Sequence, residues 1–351
     1  MSPARPGLLG FGVGAGVLAA GATVGAVVER RILGRSLREA QARTMGFGSI
    51  HSAPTVVTAD DGIELYAEVD EPPPDAALSA MTVVFCHGYA LNLDCWHYQR
   101  LAFAPLTRSV YWDQRGHGRS GRGKPGRVPI ERLADDLLAV LEVTAPEGPV
   151  VLVGHSMGGM TVLTLADRHP ELFGPRVRGA VLMSTSAGRL SEVTLGVPSA
   201  VSRLMHRAAP GVVATLGRAP RLVELGRRTG NDLEFALTRM YSFASDVPPA
   251  AVDFVAQMNS AVPLEVLADL MPSIDSHDKS AALPVLERIE TMILVGEDDL
   301  LTPAQHSRDM AEQLPTAELV ILPDSGHMVM LERPDDVNAN LVSLIERAAR
   351  R

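Results

Sequence analysis

The sequence predicts an α/β fold in which a mostly parallel β-sheet is flanked by helices on both faces. The chain has 351 residues, enough for one large domain that carries an insertion. From residue 81 onward, short apolar runs typical of buried strands alternate with amphipathic helical patterns. This alternation is typical of parallel sheets, because the crossover connections between parallel strands are usually helices.

The N-terminal residues 1–52 are predicted to form a membrane anchor followed by a basic linker. Residues 7–28, GLLGFGVGAGVLAAGATVGAVV, carry no charge. At 1.5 Å per residue, a helix of this length crosses the hydrocarbon core of a bilayer. The sequence therefore predicts one N-terminal transmembrane segment and a membrane-anchored protein.

Charge on either side of this segment predicts its orientation. Only Arg5 precedes it, whereas several arginines follow it between residues 30 and 43. By the positive-inside rule, the rest of the chain is expected in the cytoplasm. The alternative is a cleaved signal peptide, because Ala20-Gly21-Ala22 has the shape of a cleavage site, and the protein would then be secreted.

The folded domain is expected to begin with a β-hairpin and to continue as alternating strands and helices. Two alternating apolar runs surround Asp60-Asp61-Gly62, a typical hairpin turn. Further strands are predicted at residues 81–86, 109–112, 149–153, 179–184, 291–295 and 317–322. Helices are predicted at residues 131–143, 157–169, 303–314 and 334–349.

One long region interrupts this alternation. Residues 188–284 contain no clear buried strand, while their apolar residues recur at helical spacing. The region is too long for a plain loop, so we expect a helical cap inserted into the sheet domain. The first part of that domain is then residues 53–187, and the second part is residues 285–351.

Composition excludes several classes of protein. The formal net charge of −9 gives no basic footprint for nucleic acid, so we expect no nucleic-acid partner. The two cysteines, Cys86 and Cys95, exclude a disulfide scaffold, and no Cys/His cluster has the spacing of a zinc site. No glycine-rich dinucleotide or P-loop motif is present, so no cofactor is implied and no metal is needed.

A candidate nucleophile lies in the stretch VLVGHSMGGM, residues 151–160. Gly154-His155-Ser156-Met157-Gly158 matches G-x-S-x-G between a predicted strand and a predicted helix. Small residues at such a sharp turn let the serine hydroxyl protrude, so Ser156 is the candidate nucleophile.

Serine attacks at neutral pH only when a base removes its proton, and that base needs an orienting acid. His327 lies in the loop between the last predicted strand and the last helix, and we take it as the base. The acid is expected after the strand at 291–295, where Glu297, Asp298 and Asp299 are adjacent. We choose Asp299, with Asp298 as the alternative.

The oxyanion formed during acyl transfer needs hydrogen-bond donors. Met157, the residue after the nucleophile, offers its backbone N–H. The loop CHGYALN follows an earlier strand, and the backbone N–H of Tyr89 in this loop is the expected second donor.

Together these motifs resemble the α/β-hydrolase superfamily, and most closely its capped serine esterase, lipase and haloperoxidase-like branch. The resemblance covers residues 54–350 and extends to the stretch DQRGHGRS, residues 113–120, which we interpret as structural. In that family the acid is usually the third residue after the glycine that ends its strand, which selects Asp299. Haloalkane dehalogenases and epoxide hydrolases carry aspartate at the position of Ser156, so the resemblance argues against both activities.

The leading hypothesis is a serine hydrolase that cleaves a hydrophobic carboxylic ester through an acyl-enzyme on Ser156. The same triad would also serve thioester or C–C bond hydrolysis, perhydrolysis or acyl transfer. A hypothesis of another class is a catalytically silent, membrane-tethered binding protein. The expected partners are a small-molecule or lipid ester and the membrane through residues 7–28, and the oligomeric state stays open.

Overall fold

Eight strands form one sheet in the computed structural model, which describes residues 45–190, 193 and 233–351. In chain order they are β1 (Pro54–Thr58), β2 (Glu64–Asp70), β3 (Thr82–Cys86), β4 (Arg108–Trp112), β5 (Val150–His155), β6 (Val177–Met183), β7 (Glu290–Gly296) and β8 (Glu318–Leu322). Their order in the sheet is β1-β2-β4-β3-β5-β6-β7-β8. The strands from β4 to β8 are mutually parallel, whereas β1 and β2 pair antiparallel with each other and β2 pairs antiparallel with β4. The predicted mostly parallel sheet is confirmed.

The predicted β-hairpin is formed by β1 and β2. Gly62 adopts a positive φ of 81°, and its N–H donates to the carbonyl of Ala59 at 2.9 Å. A glycine accepts this left-handed conformation without strain, which is why the turn closes at this residue.

Helices lie on both faces of the sheet, and further helices lie in the region between β6 and β7. They are α1 (His97–Phe103), α2 (Ile130–Thr144), α3 (Met157–Arg168), α4 (Pro249–Ala261), α5 (Leu264–Asp275), α6 (Ala304–Gln313), α7 (Val329–Glu332) and α8 (Pro334–Ala349). Short 3₁₀ segments lie at Leu93–Trp96, Pro170–Leu172 and Ser280–Arg288. The helices predicted from the sequence are confirmed, and α1 and α7 are additional.

Two hydrophobic clusters lie on opposite faces of the sheet. Along β3, Val83 and Phe85 belong to the cluster that includes residues of α8, whereas Val84 and Cys86 belong to the cluster that includes residues of α2 and α3. Successive side chains of a strand point to opposite faces, so a strand that is buried on both faces is apolar throughout. The continuous apolar runs in the sequence reflect this arrangement.

Between β6 and β7 the described residues are helical and contain no strand. They comprise the cap helix at residues 233–242, followed by α4 and α5. This arrangement supports the predicted helical insertion. Residues 191–192 and 194–232 of the predicted cap lie outside the described residues, and the boundaries 188 and 284 remain predictions.

The chain divides into a unit of residues 1–46 and a unit of residues 47–351. The predicted transmembrane segment, residues 7–28, lies outside the described residues. Among the residues that are described, no helix combines the length and the apolar character required to cross a bilayer.

Candidate active site

Ser156 occupies a strained turn between β5 and α3. Its φ and ψ are 52° and −118°, a conformation that non-glycine residues rarely adopt. Two neighbouring positions must be glycine because other backbone segments pack closely against them. A Cβ on Gly154 would lie 2.6 Å from the carbonyl oxygen of Gly158, and a Cβ on Gly158 would lie 2.1 Å from the carbonyl oxygen of Cys86. The predicted strand, sharp turn and helix are therefore present, with the serine at the apex.

His327 and Asp299 meet at the carboxyl edge of the same sheet. Asp299 lies in the loop after β7, and His327 lies in the loop after β8. The Nδ1 of His327 is 2.9 Å from the Oδ2 of Asp299, and both side chains are buried. Asp298 is exposed, so the structure pairs His327 with Asp299 rather than with the alternative acid.

Asp299 is held as a carboxylate by several donors. The backbone N–H groups of Leu301 and Thr302 donate to its Oδ1 at 2.9 Å, and the Thr302 hydroxyl donates to its Oδ2 at 2.8 Å. Burial raises the pKa of Asp299, but the His327 charge and these hydrogen bonds outweigh that effect and leave the pKa below its ordinary value. A carboxylate at this position favours a proton on the Nδ1 of His327, which leaves the Nε2 free to accept one.

His155, next to the nucleophile, also contacts His327. Its Nε2 is 3.0 Å from the backbone carbonyl oxygen of His327, and the two ring centroids are 4.7 Å apart. Burial lowers the pKa of His155 to about 3, so this ring is neutral and its Nε2–H donates to the carbonyl. His155 thus supports the backbone of the candidate base.

Sequence reasoning missed the contributions of Thr302 and His155. The spacing Asp299-x-x-Thr302 before Pro303 is a signal for a side chain that accepts local backbone amides, and it points to Thr302. For His155 no such signal exists, because its partner is a carbonyl group far away in the chain.

The structure locates the two residues that are predicted to donate to the oxyanion, and their role stays a prediction. Met157 is the first residue of α3, where backbone N–H groups have no intrahelical acceptor and carry the positive end of the helix dipole. Tyr89 lies in the loop after β3. Within the described part of the chain, neither N–H donates to another protein group. Both amides are therefore available to a ligand.

The loop after β3 is held in shape by its neighbours. Ala90 has a positive φ of 60°, and its N–H donates to the Nε2 of His117 at 3.3 Å. The other ring nitrogen of His117 lies 3.1 Å from the carbonyl oxygen of Arg115, and burial lowers the pKa of His117 to about 4. These contacts support the structural interpretation of residues 113–120. The Tyr89 hydroxyl donates to the carbonyl of Leu267 in α5 at 2.8 Å, which links the loop to the cap.

A cavity of about 800 Å³ opens beside Ser156 and His327. Its walls come from the loops at the sheet edge and from the described helices of the cap. Most of the lining is apolar and includes Leu91, Met157, Met160, Leu237, Val255, Leu267, Met271 and Ile274. Among the described residues, no group of histidine, cysteine or acidic side chains is arranged to hold a metal ion.

Comparison with known proteins identifies the family. A family model for the α/β hydrolase fold matches residues 82–334. The bifunctional esterase/perhydrolase DCH of Acinetobacter calcoaceticus is 28% identical over 307 residues, which cover 82% of this chain and 98% of that protein. A non-heme haloperoxidase of Rhodococcus erythropolis is 26% identical over 298 residues, covering 83% of this chain and 98% of the relative.

A solved structure has the same fold. The thermophilic esterase of Thermogutta terrifontis superposes with a TM-score of 0.67 at 24% identity, covering 85% of this chain and 99% of that one. The chain therefore belongs to the α/β hydrolase family, and it is an enzyme of the esterase and haloperoxidase-like branch.

Proposed function

We propose that this enzyme hydrolyses hydrophobic carboxylic esters through the triad Ser156, His327 and Asp299 and an acyl-enzyme on Ser156. The observation that carries the proposal is the buried pair of His327 and Asp299, 2.9 Å apart. Within this pair, His327 lines an apolar cavity that Ser156 also lines. Ester hydrolysis as a general activity agrees with the family.

The first half of the reaction transfers the acyl group to the enzyme. The Nε2 of His327 accepts the Ser156 proton while the Oγ attacks the ester carbonyl carbon. Negative charge develops on the carbonyl oxygen, and the N–H groups of Met157 and Tyr89 donate to it. When the tetrahedral intermediate collapses, the bond to the alcohol oxygen breaks and His327 returns its proton to the leaving alcohol.

The second half uses water in place of the alcohol. His327 removes a proton from the water as it attacks the acyl carbon, and the same two amides stabilise the second oxyanion. Collapse breaks the bond to Ser156 Oγ, which recovers its proton from His327. Asp299 stays ionised throughout and stabilises the positively charged imidazole.

The cavity supports a substrate with a sizeable apolar group. A volume of about 800 Å³ lies within the range of pockets that enclose drug-sized molecules. Because apolar side chains dominate its wall, transfer of a hydrocarbon group from water into it is favourable. We therefore expect turnover to improve with acyl length up to an optimum set by the cap.

Perhydrolysis is a second candidate. The relatives named esterase/perhydrolase and non-heme haloperoxidase favour it. In that reaction hydrogen peroxide replaces water in the second half, and the product is a peracid. Formation of peracid from an acyl donor and peroxide would support this second candidate. Hydrolysis without any peracid would contradict it and leave ester hydrolysis as the activity.

We also propose that residues 7–28 anchor the protein in a membrane with the catalytic domain in the cytoplasm. The uncharged stretch and the arginines that follow it support this proposal. A chain that begins after residue 30 should be active and soluble, whereas the full chain should fractionate with membranes. A shortened mature protein outside the cell would instead favour a cleaved signal peptide.

Labelling with a fluorophosphonate tests the triad directly. Wild type and Ser156→Ala are compared, alongside p-nitrophenyl esters of increasing acyl length. A serine hydrolase is supported if labelling and turnover vanish in the variant and if wild type shows an optimum in acyl length. Labelling that persists in Ser156→Ala would contradict the assignment of the nucleophile, and neither labelling nor turnover in wild type would favour a binding protein.

A further inference from the structure

The carboxylate of Glu332 accepts hydrogen bonds from backbone amides in two different parts of the chain. Its Oε2 accepts from the N–H of Gly326 at 2.7 Å. Its Oε1 accepts from the N–H groups of Ala244, at 2.8 Å, and Ser245. Gly326 precedes the candidate base His327, whereas Ala244 and Ser245 follow the cap helix 233–242. Hydrogen bonds to an ionised acceptor are the stronger kind, so Glu332 joins these two segments firmly.

The loop of His327 also contacts residues 242–245 directly, the segment that ends the cap helix and follows it. The N–H of Met328 donates to the carbonyl of Ser242 at 2.8 Å. A Cβ on Gly326 would lie 3.0 Å from the Ala244 nitrogen, so the two backbones are packed closely. Both sequence neighbours of His327 are thus bonded to this junction, Gly326 through Glu332 and Met328 through Ser242.

The cap holds the other side of this segment through Arg239. Its guanidinium donates to the carbonyl of Phe243 at 2.8 Å and to that of Ser245 at 2.6 Å. The amides of the segment therefore bind a carboxylate of the sheet domain, while its carbonyls bind a cation of the cap helix. Leu237 and Tyr241 of that helix line the cavity, so the helix that Arg239 ties to this segment also faces the candidate substrate site.

We propose that Glu332 is a positioning residue that holds the imidazole of His327 in its reactive place and ties that place to the cap helix 233–242. The inference rests on the proposed function, in which His327 is the base. Three donors converge on Glu332, and a carboxylate can satisfy all of them because both of its oxygens accept. Glu332 is not among the described residues that line the cavity, so its effect on the reaction is expected through His327.

The variant Glu332→Gln tests this role because it keeps the shape and changes one acceptor into a donor. The oxygen of the glutamine amide can accept from Gly326 or from residues 244–245. The NH₂ group of the amide then faces the remaining backbone N–H and cannot accept from it. A displacement of about 1 Å at a reacting group can cost on the order of a hundredfold in rate. We expect kcat for p-nitrophenyl butyrate to fall about ten- to a hundredfold.

A second readout follows His327 itself. The low-field proton NMR signal of its Nδ1–H, shared with Asp299, is expected to shift or broaden in Glu332→Gln. The matched control is Asp336→Asn, because Asp336 is an exposed carboxylate at the start of α8 whose side chain pairs with Arg333 at 3.0 Å and with no other described residue. This control should keep the wild-type kcat and the wild-type signal.

The outcomes separate this inference from the proposed function. A kcat within about twofold of wild type together with an unchanged NMR signal in Glu332→Gln overturns the role of Glu332. A wild-type protein that hydrolyses no ester contradicts the proposed function instead, and the NMR comparison then still tests whether Glu332 positions His327. If Glu332→Gln does not fold, amide hydrogen exchange on wild type decides. Ala244 is exposed, yet its amide should exchange as slowly as that of Gly326, and fast exchange of both overturns the inference.

Discussion

Two loops at the same edge of the sheet each bury an aspartate, and the two carboxyl groups behave differently. Asp113 follows β4 and Asp299 follows β7, and they are 1% and 3% exposed. Each accepts two backbone amides: Asp113 from Leu93 and Arg119, both at 2.8 Å, and Asp299 from the two residues described above. Burial and backbone contacts are therefore closely matched.

The difference lies in the side chains that meet each carboxylate. Asp299 contacts the imidazole of His327 and the hydroxyl of Thr302, and its pKa lies below the ordinary value even though burial raises it. No side chain in the described part of the chain donates to the carboxyl group of Asp113, and burial raises its pKa to about 7. The carboxyl of Asp299 is kept ionised by side-chain contacts with His327 and Thr302 that Asp113 lacks, and burial alone gives an aspartate no catalytic role.

The largest effect is expected from Asp299→Asn. The amide cannot stabilise the protonated imidazole and favours the wrong tautomer of His327, so kcat should fall by about 10⁴, as in serine protease triads. Steady-state kinetics with a p-nitrophenyl ester measure this loss. Asp298→Asn is the matched control and should stay within about twofold of wild type. The reverse order of effects would move the acid by one position.

Asp113→Asn should change stability rather than chemistry. In wild type the folded state binds the Asp113 proton more tightly than the unfolded state, because the pKa rises from 3.8 to about 7 on folding. Stability contributed by this group is therefore lost as pH rises from about 4 to about 7, and the variant lacks this titration. The free energy of unfolding of wild type minus that of the variant should fall by up to about 3 kcal/mol between pH 5 and pH 8.

Urea unfolding of both proteins at the two pH values measures this difference. A difference that does not change with pH would mean that Asp113 is already ionised at pH 5, as Asp299 is. The kcat of Asp113→Asn, corrected for the folded fraction, should equal that of wild type.

The smallest effect is expected from Thr302→Val. Valine has nearly the same shape as threonine but removes the hydroxyl that donates to the Oδ2 of Asp299. The two backbone amides and His327 remain, so valine removes one hydrogen bond to Asp299 and the 3.3 Å contact of the hydroxyl with the Nδ1 of His327. We expect a loss of about 1 kcal/mol, or roughly fivefold in kcat. A pH profile of kcat for both proteins measures it. An unchanged profile would show that the amides and His327 alone hold Asp299.

Most elements of the sheet domain could be predicted from the sequence, and of the two helices that were not, α1 and α7, the first is instructive. The strands and the helices α2, α3, α6 and α8 carry patterns of apolar residues that report burial locally. Helix α1 does not, because Gln99 and Arg100 on it are buried. Arg100 pairs with Asp70 at 2.6 Å and with Glu68 at 2.7 Å, so its burial depends on strand β2. A buried ion pair leaves no apolar pattern in the sequence of the helix that contributes to it.

The sequence by itself determined the alternation of strands and helices, the sharp turn at Ser156 and the places of His327 and the candidate acids at strand ends. These features follow from periodicity and turn chemistry, which act over a few neighbouring residues. The sequence left Asp298 open as an alternative to Asp299, and the tertiary structure showed that Asp299 is the one that faces His327. Only the tertiary structure decided that Thr302 and His155 support this pair, and that Glu332 joins its loop to the cap. Which side chain of a loop points inward depends on the packing of segments that are distant in the chain, and no local pattern records that packing.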